Sequence, residues 1–248
     1  MSGGVHRATF QPMPHLAASR ALLPLVLLGC AGGLPGPKMP TPLARSDAGA
    51  IAPWVAETTD TMPREASFRW SYLDGRTEGG AKGRGSFVIV APDSLRFDFR
   101  GPLNSGAGAA FVVGDSAVWA LPEEDVQKLV PNYPLLWAML GRARAPMQGD
   151  QVQSATSRDV TAWRYVRGAD TVEYLLSRTG TRQLVADVRS GGERIGRVLT
   201  TFDGEGRLSS ARLDIPSRPA RLDLTFYRHG VPDSLPASLW ARPDLDAP

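Results

Sequence analysis

The sequence contains few of the residues from which catalytic and metal sites are usually built. Its 248 residues include one cysteine and three histidines, which excludes a disulfide framework within the chain and a cysteine-based zinc cluster. His6 and His15 lie in the first 29 residues, so His229 is the one histidine left for a Ser-His-acid triad in the rest of the chain. We therefore expect no metal, no cofactor and no enzymatic activity.

The chain also lacks a strong excess of charge of one sign. It has 28 basic and 25 acidic residues and a net charge of +3. Arg7 and Arg20 lie in the first 29 residues, which contain no acid, so the remainder carries +3 less these two, or +1. Elsewhere arginines alternate with acids, as in Arg96-Phe-Asp98. This balance argues against nucleic-acid binding.

The apolar run at residues 21–28 is too short to cross a membrane, because a spanning helix needs about 20 residues. It follows a polar segment that contains two arginines and precedes the small residue Gly29. This pattern is typical of a secretory signal peptide, and we assign residues 1–29 to one.

The segment Leu27-Leu28-Gly29-Cys30 resembles the bacterial lipobox. The resemblance implies that the Cys30 sulfur receives a diacylglyceryl group and that Cys30, acylated again with a chain such as palmitate, becomes the new N-terminus. Ala31 at the next position implies sorting to the outer membrane, facing the periplasm. The alternatives are a plain signal peptide with an incidental cysteine and a short buried segment.

The composition then divides the chain into a tether, a domain and a tail. Residues 30–60 are rich in glycine, proline and alanine, which predicts a flexible tether behind the lipidated Cys30. Within it, Ile51 to Trp54 begin a short helix. Residues 61–230 form the folded domain, and residues 231–248 a C-terminal tail.

The domain alternates polar and apolar residues with the period of a β-strand. Leu95, Phe97 and Phe99, for example, share one face, and the charges between them share the other. The pattern and its turns predict eleven strands at 67–72, 84–90, 95–100, 108–113, 116–120, 159–167, 171–177, 181–189, 194–202, 207–215 and 219–228. Short strands without alternating helices indicate a mainly β fold, an antiparallel sheet or barrel.

One segment breaks this alternation. Pro122 and the acids after it open a helix, and a second apolar turn runs to Gly141, a natural helix end. Its periodicity fits both a cap on the barrel core and a functional lid.

Two segments resemble the LolA/LolB superfamily of lipoprotein carriers and receptors, with the LolB type as the closer match. Leu95-Arg-Phe-Asp-Phe-Arg-Gly-Pro-Leu103 resembles the strand that ends in Gly-Pro-Leu-Gly, and Tyr133-Pro-Leu-Leu-Trp-Ala-Met-Leu-Gly-Arg142 resembles the Pro-Leu…Trp-Leu-Arg-Gly segment. The resemblance implies a half-open antiparallel β-barrel of about eleven strands, closed by a short helical lid. It also implies an apolar concave face that accepts acyl chains.

On this interpretation the protein handles lipids or lipoproteins at the outer membrane. A cavity of roughly 300–1,000 Å³ is expected, lined by Trp70, Phe97, Phe99, Phe111, Trp119, Leu136, Trp137 and Leu140. The expected partners are acyl chains or lipoproteins, the membrane through Cys30, and a periplasmic carrier protein. We interpret residues 79–85 as a flexible hairpin loop whose Lys82 and Arg84 touch anionic headgroups.

Two other interpretations stay open. The same apolar residues would fill the barrel of a structural or envelope-assembly lipoprotein whose surface binds a protein partner. An enzyme would need a polar cleft that holds a carboxylate pair or His229.

Overall fold

The computed structural model describes residues 37, 40, 42–101, 106–124, 126 and 132–243. The predicted signal peptide and the lipidation site at Cys30 therefore lie outside the described residues. Leu34–Pro248 forms one compact unit, and the buried core residues that the structure describes lie in it. Within the described ranges, none of the helices has the length and apolar character that a membrane span requires.

The described residues form thirteen antiparallel strands in a single sheet. They are β1 (Ala44–Ser46), β2 (Arg64–Asp74), β3 (Gly79–Val90), β4 (Ser94–Arg100), β5 (Ala107–Val113), β6 (Ser116–Leu121), β7 (Gln151–Thr156), β8 (Val160–Arg167), β9 (Asp170–Ser177), β10 (Gln183–Ser190), β11 (Glu193–Phe202), β12 (Leu208–Ile215) and β13 (Ala220–Gly230). All eleven strands expected from the alternation are present, and β1 and β7 are additional.

The strand order is β1-β7-β8-β9-β10-β11-β12-β13-β2-β3-β4-β5-β6. Strands β1 and β6 form the two edges and do not pair with each other, so the curled sheet stays open along one side. The expectation of a mainly β, half-open antiparallel barrel is thus confirmed, with thirteen strands rather than about eleven.

The concave face of the sheet carries the core. Along β2, Ala66 and Phe68 are buried whereas Glu65 and Arg69 are exposed, because successive side chains of a strand point to opposite faces. The buried positions of neighbouring strands join in one continuous cluster.

The prediction of a flexible tether over residues 30–60 is wrong for residues 44–57. Strand β1 pairs with β7, and helix α1 (Ala48–Glu57) follows it. The Asp47 carboxylate caps α1 by accepting a hydrogen bond from the Ala50 N–H at 2.7 Å. Ile51 is fully buried, and the Trp54 ring lies 6.0 Å from that of Trp163. Burial of these side chains stabilises a segment whose composition resembles a linker.

The C-terminal tail is likewise bound to the sheet as far as residue 243. Its 3-10 helix, Ala237–Trp240, lies against the convex face. Arg96 Nη1 donates to the carbonyl oxygens of Leu239 and Ala241 at 2.8 and 3.1 Å, and Trp119 Nε1 donates to that of Trp240 at 3.0 Å. The folded unit therefore extends beyond both ends of the predicted 61–230 domain.

Candidate functional site

Helix α2 (Tyr133–Met139) enters the concave face of the sheet and packs against β10, β11 and β12. The side chains from Leu135 to Met139 are all buried. Gly141 follows with φ of +78°, a left-handed conformation that glycine adopts without strain and that ends helices. The apolar helical segment expected from the sequence is confirmed here, while residues 127–131 lie outside the described residues.

The C-terminal end of α2 is held by polar side chains of the sheet. Thr200 Oγ1 on β11 donates to the Ala138 carbonyl at 2.7 Å, and Arg64 Nη2 donates to the Leu140 carbonyl at 2.7 Å. Burial lowers the pKa of Arg64, and the nearby Asp60 carboxylate opposes that shift. These two bonds to carbonyls at the end of the helix hold this end of α2 against the sheet.

Trp137 lies near this end of α2. It is fully buried, and its Nε1 donates to the Gly114 carbonyl at 2.7 Å. The guanidinium groups of Arg142 and Arg144 lie 5.1 and 5.5 Å from its ring centre. These contacts place the ring in the core. We therefore leave Trp137 out of the candidate cavity, although the sequence pattern predicts it as one of the residues that line the cavity.

An apolar cavity lies between α2 and strands β2, β3, β4 and β13. Its volume is about 60 Å³, far below the 300–1,000 Å³ that we expected. It is lined by Phe68, Trp70, Phe87, Phe97, Phe99, Leu136, Met139, Leu140, Leu222 and Leu224. The sequence overestimated the open space because the aromatic side chains fill most of the concave face themselves.

Glycines in the cavity wall leave room for the rings. A Cβ atom at Gly85 would lie 2.4 Å from Phe68 Cζ, and one at Gly108 would lie 2.1 Å from Phe99 Cζ. The rings therefore lie against bare backbone, a known use of glycine inside strands. The interpretation of residues 79–85 as a hairpin loop is wrong, because these residues form the first half of β3.

A second cavity, of about 420 Å³, adjoins the first. The two share Phe97 and Leu136 in their walls. The second is bordered by β6, by Tyr133 at the start of α2, and by the polar side chains of Glu123 and Arg242. Movement of the two shared side chains would join an apolar inner space to a larger space with a partly polar rim.

The structure brings together five of the eight residues expected to line the acyl cavity: Trp70, Phe97, Phe99, Leu136 and Leu140. Phe111 lies on the other face, because it pairs across strands with Arg96, whereas Phe97 pairs with Ala110.

The Phe111 ring packs 5.0 Å from that of Trp240. Trp119 lies beside it, bonded to the C-terminal tail, and borders only the second of these two cavities. Sequence reasoning missed Phe68, Leu222 and Leu224, although the alternation along β2 and β13 places them on the inner face.

Trp70 carries a polar atom that has no partner. Its Nε1 is buried, with no hydrogen-bond acceptor among the described residues. A buried donor left unpaired costs about 1–3 kcal/mol.

Burial shifts the pKa of three titratable side chains that we considered, those of His229, Tyr165 and Tyr174. His229 lies on β13 opposite Ala66, and partial burial, with Arg207 nearby, lowers its pKa. Burial raises the pKa of Tyr165 and Tyr174 well above its usual value, so both keep their protons. In the part of the chain that the structure describes, no three His, Cys, Asp or Glu side chains are grouped so as to hold a metal ion.

No protein-family profile and no curated protein matches this sequence. Solved structures do resemble it. A LolA superfamily protein from Nitrosomonas europaea is 12% identical, with a TM-score of 0.47 over 79% of this chain and 98% of that one. A LolA superfamily protein is thus among the structures that this chain resembles. The LolB subtype stays a prediction.

Two further solved structures are among those that this chain is similar to. A DUF1329 family protein from Desulfovibrio piger is 8% identical, with a TM-score of 0.44 over 78% of this chain and 95% of that one. An outer membrane lipoprotein-sorting protein domain from Vibrio parahaemolyticus is 11% identical, with a TM-score of 0.36 over 78% of this chain and 97% of that one.

Proposed function

We propose that this protein shelters an acyl chain of a lipid or lipoprotein in the cavity beside α2. The observation that carries the proposal is the lining of that cavity, in which all ten residues are apolar and five are aromatic. Each acyl methylene removed from water contributes about 0.8 kcal/mol. A wholly apolar wall therefore favours a hydrocarbon over any polar ligand.

The cavity in its present form admits only the first part of such a chain. A cavity needs about 10–15 Å³ to hold one water molecule. A volume of about 60 Å³ therefore accepts only a few methylene groups. Rotation of Leu136 and Phe97 would extend the space into the neighbouring cavity of about 420 Å³. Loading therefore begins at the Tyr133 end of α2, since the opposite end is held by Thr200 and Arg64.

The proposed cellular setting follows from the N-terminus. We place the protein at the outer membrane, facing the periplasm and anchored through acylated Cys30, with a periplasmic carrier as the source or recipient of its cargo. An acyl-binding domain held at a membrane in this way is suited to lipoprotein or lipid handling rather than to catalysis.

Filling the cavity should abolish acyl binding. In the unit Leu34–Pro248, Leu224→Trp places an indole in a space of about 60 Å³, and we expect the affinity for a fluorescent fatty acid to fall about tenfold or more, because overpacked cores do not readily expand. The measurement is a fluorescence titration. Val231→Trp is the matched control, since Val231 is 60% exposed just after the end of β13.

The same titration separates the proposal from its alternative. If the unmodified protein does not bind the probe, the barrel is a filled scaffold and the protein acts through its surface. The small volume of the cavity fits this alternative. Equal loss of binding in Leu224→Trp and Val231→Trp would place the probe elsewhere.

The anchor at Cys30 has a test of its own. Wild-type protein made in a diderm bacterium should incorporate labelled palmitate and sediment with membranes, whereas Cys30→Ser should lose both properties, because the chain has no other cysteine. The double variant Cys30→Ser/Ala31→Cys, which moves the thiol by one residue, is the control and should also be unlabelled. Label in Cys30→Ser would contradict the anchor.

A further inference from the structure

The convex face of the sheet neutralises most of its charges by pairing them. Arg164 on β8 binds Glu173 on β9, Arg194 lies 2.8 Å from Asp187, and Arg212 Nε lies 2.6 Å from Asp223 Oδ1. From β8 to β13, most basic residues therefore have acidic neighbours, as expected of a solvated surface without a charged ligand.

Strands β2, β3 and β4 depart from this pattern. Arg69 pairs directly with Arg84, and Arg84 pairs directly with Arg100, so three guanidinium groups occupy one row on the convex face. Lys82 lies two residues before Arg84, and all four side chains are exposed. None of the four has a carboxylate partner among the described residues. Like charges in directly opposite positions destabilise a sheet, and an external anion would remove that cost.

This basic patch (Arg69, Lys82, Arg84 and Arg100) surrounds a depression. A cavity of about 340 Å³ is lined by the first three of these residues, with the bare backbone of Gly83 and Gly101 beside them. Asp223 also lines it, but that carboxylate is already bound to Arg212. The depression therefore offers net positive charge in a concave site.

Exposed apolar side chains flank the patch. Tyr227 is 43% exposed and Leu73 is 46% exposed, and the Arg69 guanidinium lies 5.0 Å above the Tyr227 ring. Cations combined with an aromatic and an aliphatic side chain are typical of surfaces that bind at a membrane interface. A soluble anion would be bound by the cations alone and would not require the apolar side chains.

We propose that the basic patch binds the anionic phospholipid headgroups of a bilayer. The charges supply the attraction, and Tyr227 and Leu73 enter the headgroup region. Trp70 borders both this depression and the apolar cavity. The four cations lie on the convex face and the cavity on the concave face, so the proposal does not depend on acyl binding.

Vesicle sedimentation tests the proposal on the unit Leu34–Pro248, which lacks Cys30. We expect binding to phosphatidylcholine vesicles in which about a third of the lipid is phosphatidylglycerol, no binding to pure phosphatidylcholine, and weakening with salt. Each basic residue near an anionic bilayer contributes roughly fivefold in affinity, so Arg84→Thr/Arg100→Thr should bind roughly 25-fold more weakly.

The control is Arg45→Thr/Arg158→Thr, which removes the same charge from β1 and the turn between β7 and β8. It should bind as the wild type does. The patch variant should melt at the same temperature or higher, because repulsion is relieved, and should keep its affinity for the fluorescent fatty acid.

Three results would overturn the proposal. Equal binding to neutral vesicles would show that charge is not recognised, and equal weakening of both double variants would show that only total charge matters. Displacement from vesicles by inorganic phosphate at matched ionic strength would identify a soluble phosphate as the ligand. Loss of fatty-acid binding with intact vesicle binding would instead contradict the proposed cavity and leave the patch standing.

Discussion

Replacing Trp137 with alanine should lower the free energy of unfolding by about 3–5 kcal/mol, the usual cost of removing a large aromatic side chain from a core. The change empties the space under α2 and leaves the Gly114 carbonyl without its donor at 2.7 Å. It also removes the ring against which Arg142 and Arg144 pack. Urea denaturation followed by circular dichroism measures the loss.

The control for this change is Trp240→Ala. Trp240 is half-buried on the convex face, and its carbonyl, which accepts the bond from Trp119, is retained in alanine. We expect a loss of about 1 kcal/mol, as for the removal of a single aromatic contact. A Trp137→Ala variant as stable as Trp240→Ala would show that Trp137 is a mobile part of a lid. A charged replacement such as Trp137→Glu is expected to prevent folding, so it cannot report on ligand binding.

Replacing Gly83 with alanine should cost about 3 kcal/mol, the upper part of the range for overpacking. A Cβ atom at Gly83 would lie 1.9 Å from the Arg100 carbonyl oxygen and 2.8 Å from the Trp70 ring. Because the first of these neighbours is backbone, relief requires β3 and β4 to separate where both proposed sites have residues. We therefore expect loss of fatty-acid binding together with the loss of stability in thermal and urea denaturation.

Gly204→Ala is the matched control. Gly204 lies in the turn between β11 and β12, and a Cβ atom at this position would have no neighbouring atom within 4 Å. The same change should therefore be neutral or slightly stabilising. Similar losses at the two positions would mean that general backbone freedom, rather than the close approach of β3 and β4, explains the effect.

Local patterns in the sequence predicted the strands well because each depends on neighbouring residues. The alternation Leu95, Phe97, Phe99 and the turn residues between strands are local signals, and the structure contains every strand that they predicted. The same reasoning missed β1 and β7. It also misplaced residues 79–85, because a glycine-rich segment resembles a loop until the rings that cover it are known. Phe68 is distant from Gly85 in the sequence, and Phe99 lies on a different strand from Gly108. A local window of sequence therefore shows neither contact.

The candidate site was predicted in part for a related reason. Trp70, Phe97 and Leu136 were expected in the cavity and line it, since apolar alternation identifies the inner face. Trp137 was misassigned because a helix of apolar residues all round does not show which side meets the cavity. Phe111 was misassigned because its face depends on the pairing register with β4.

The sequence by itself determined the mainly β architecture, the apolar helix ending at Gly141 and the motif around Cys30, all of which are written in adjacent residues. Only the tertiary structure decided that residues 44–57 belong to the fold, that the rings leave about 60 Å³ of apolar space, and that Arg69, Arg84 and Arg100 form one row. These three arginines lie on three different strands, so no local pattern in the sequence shows them together. Cross-strand pairing, which joins residues distant in the chain, gathers them on one face.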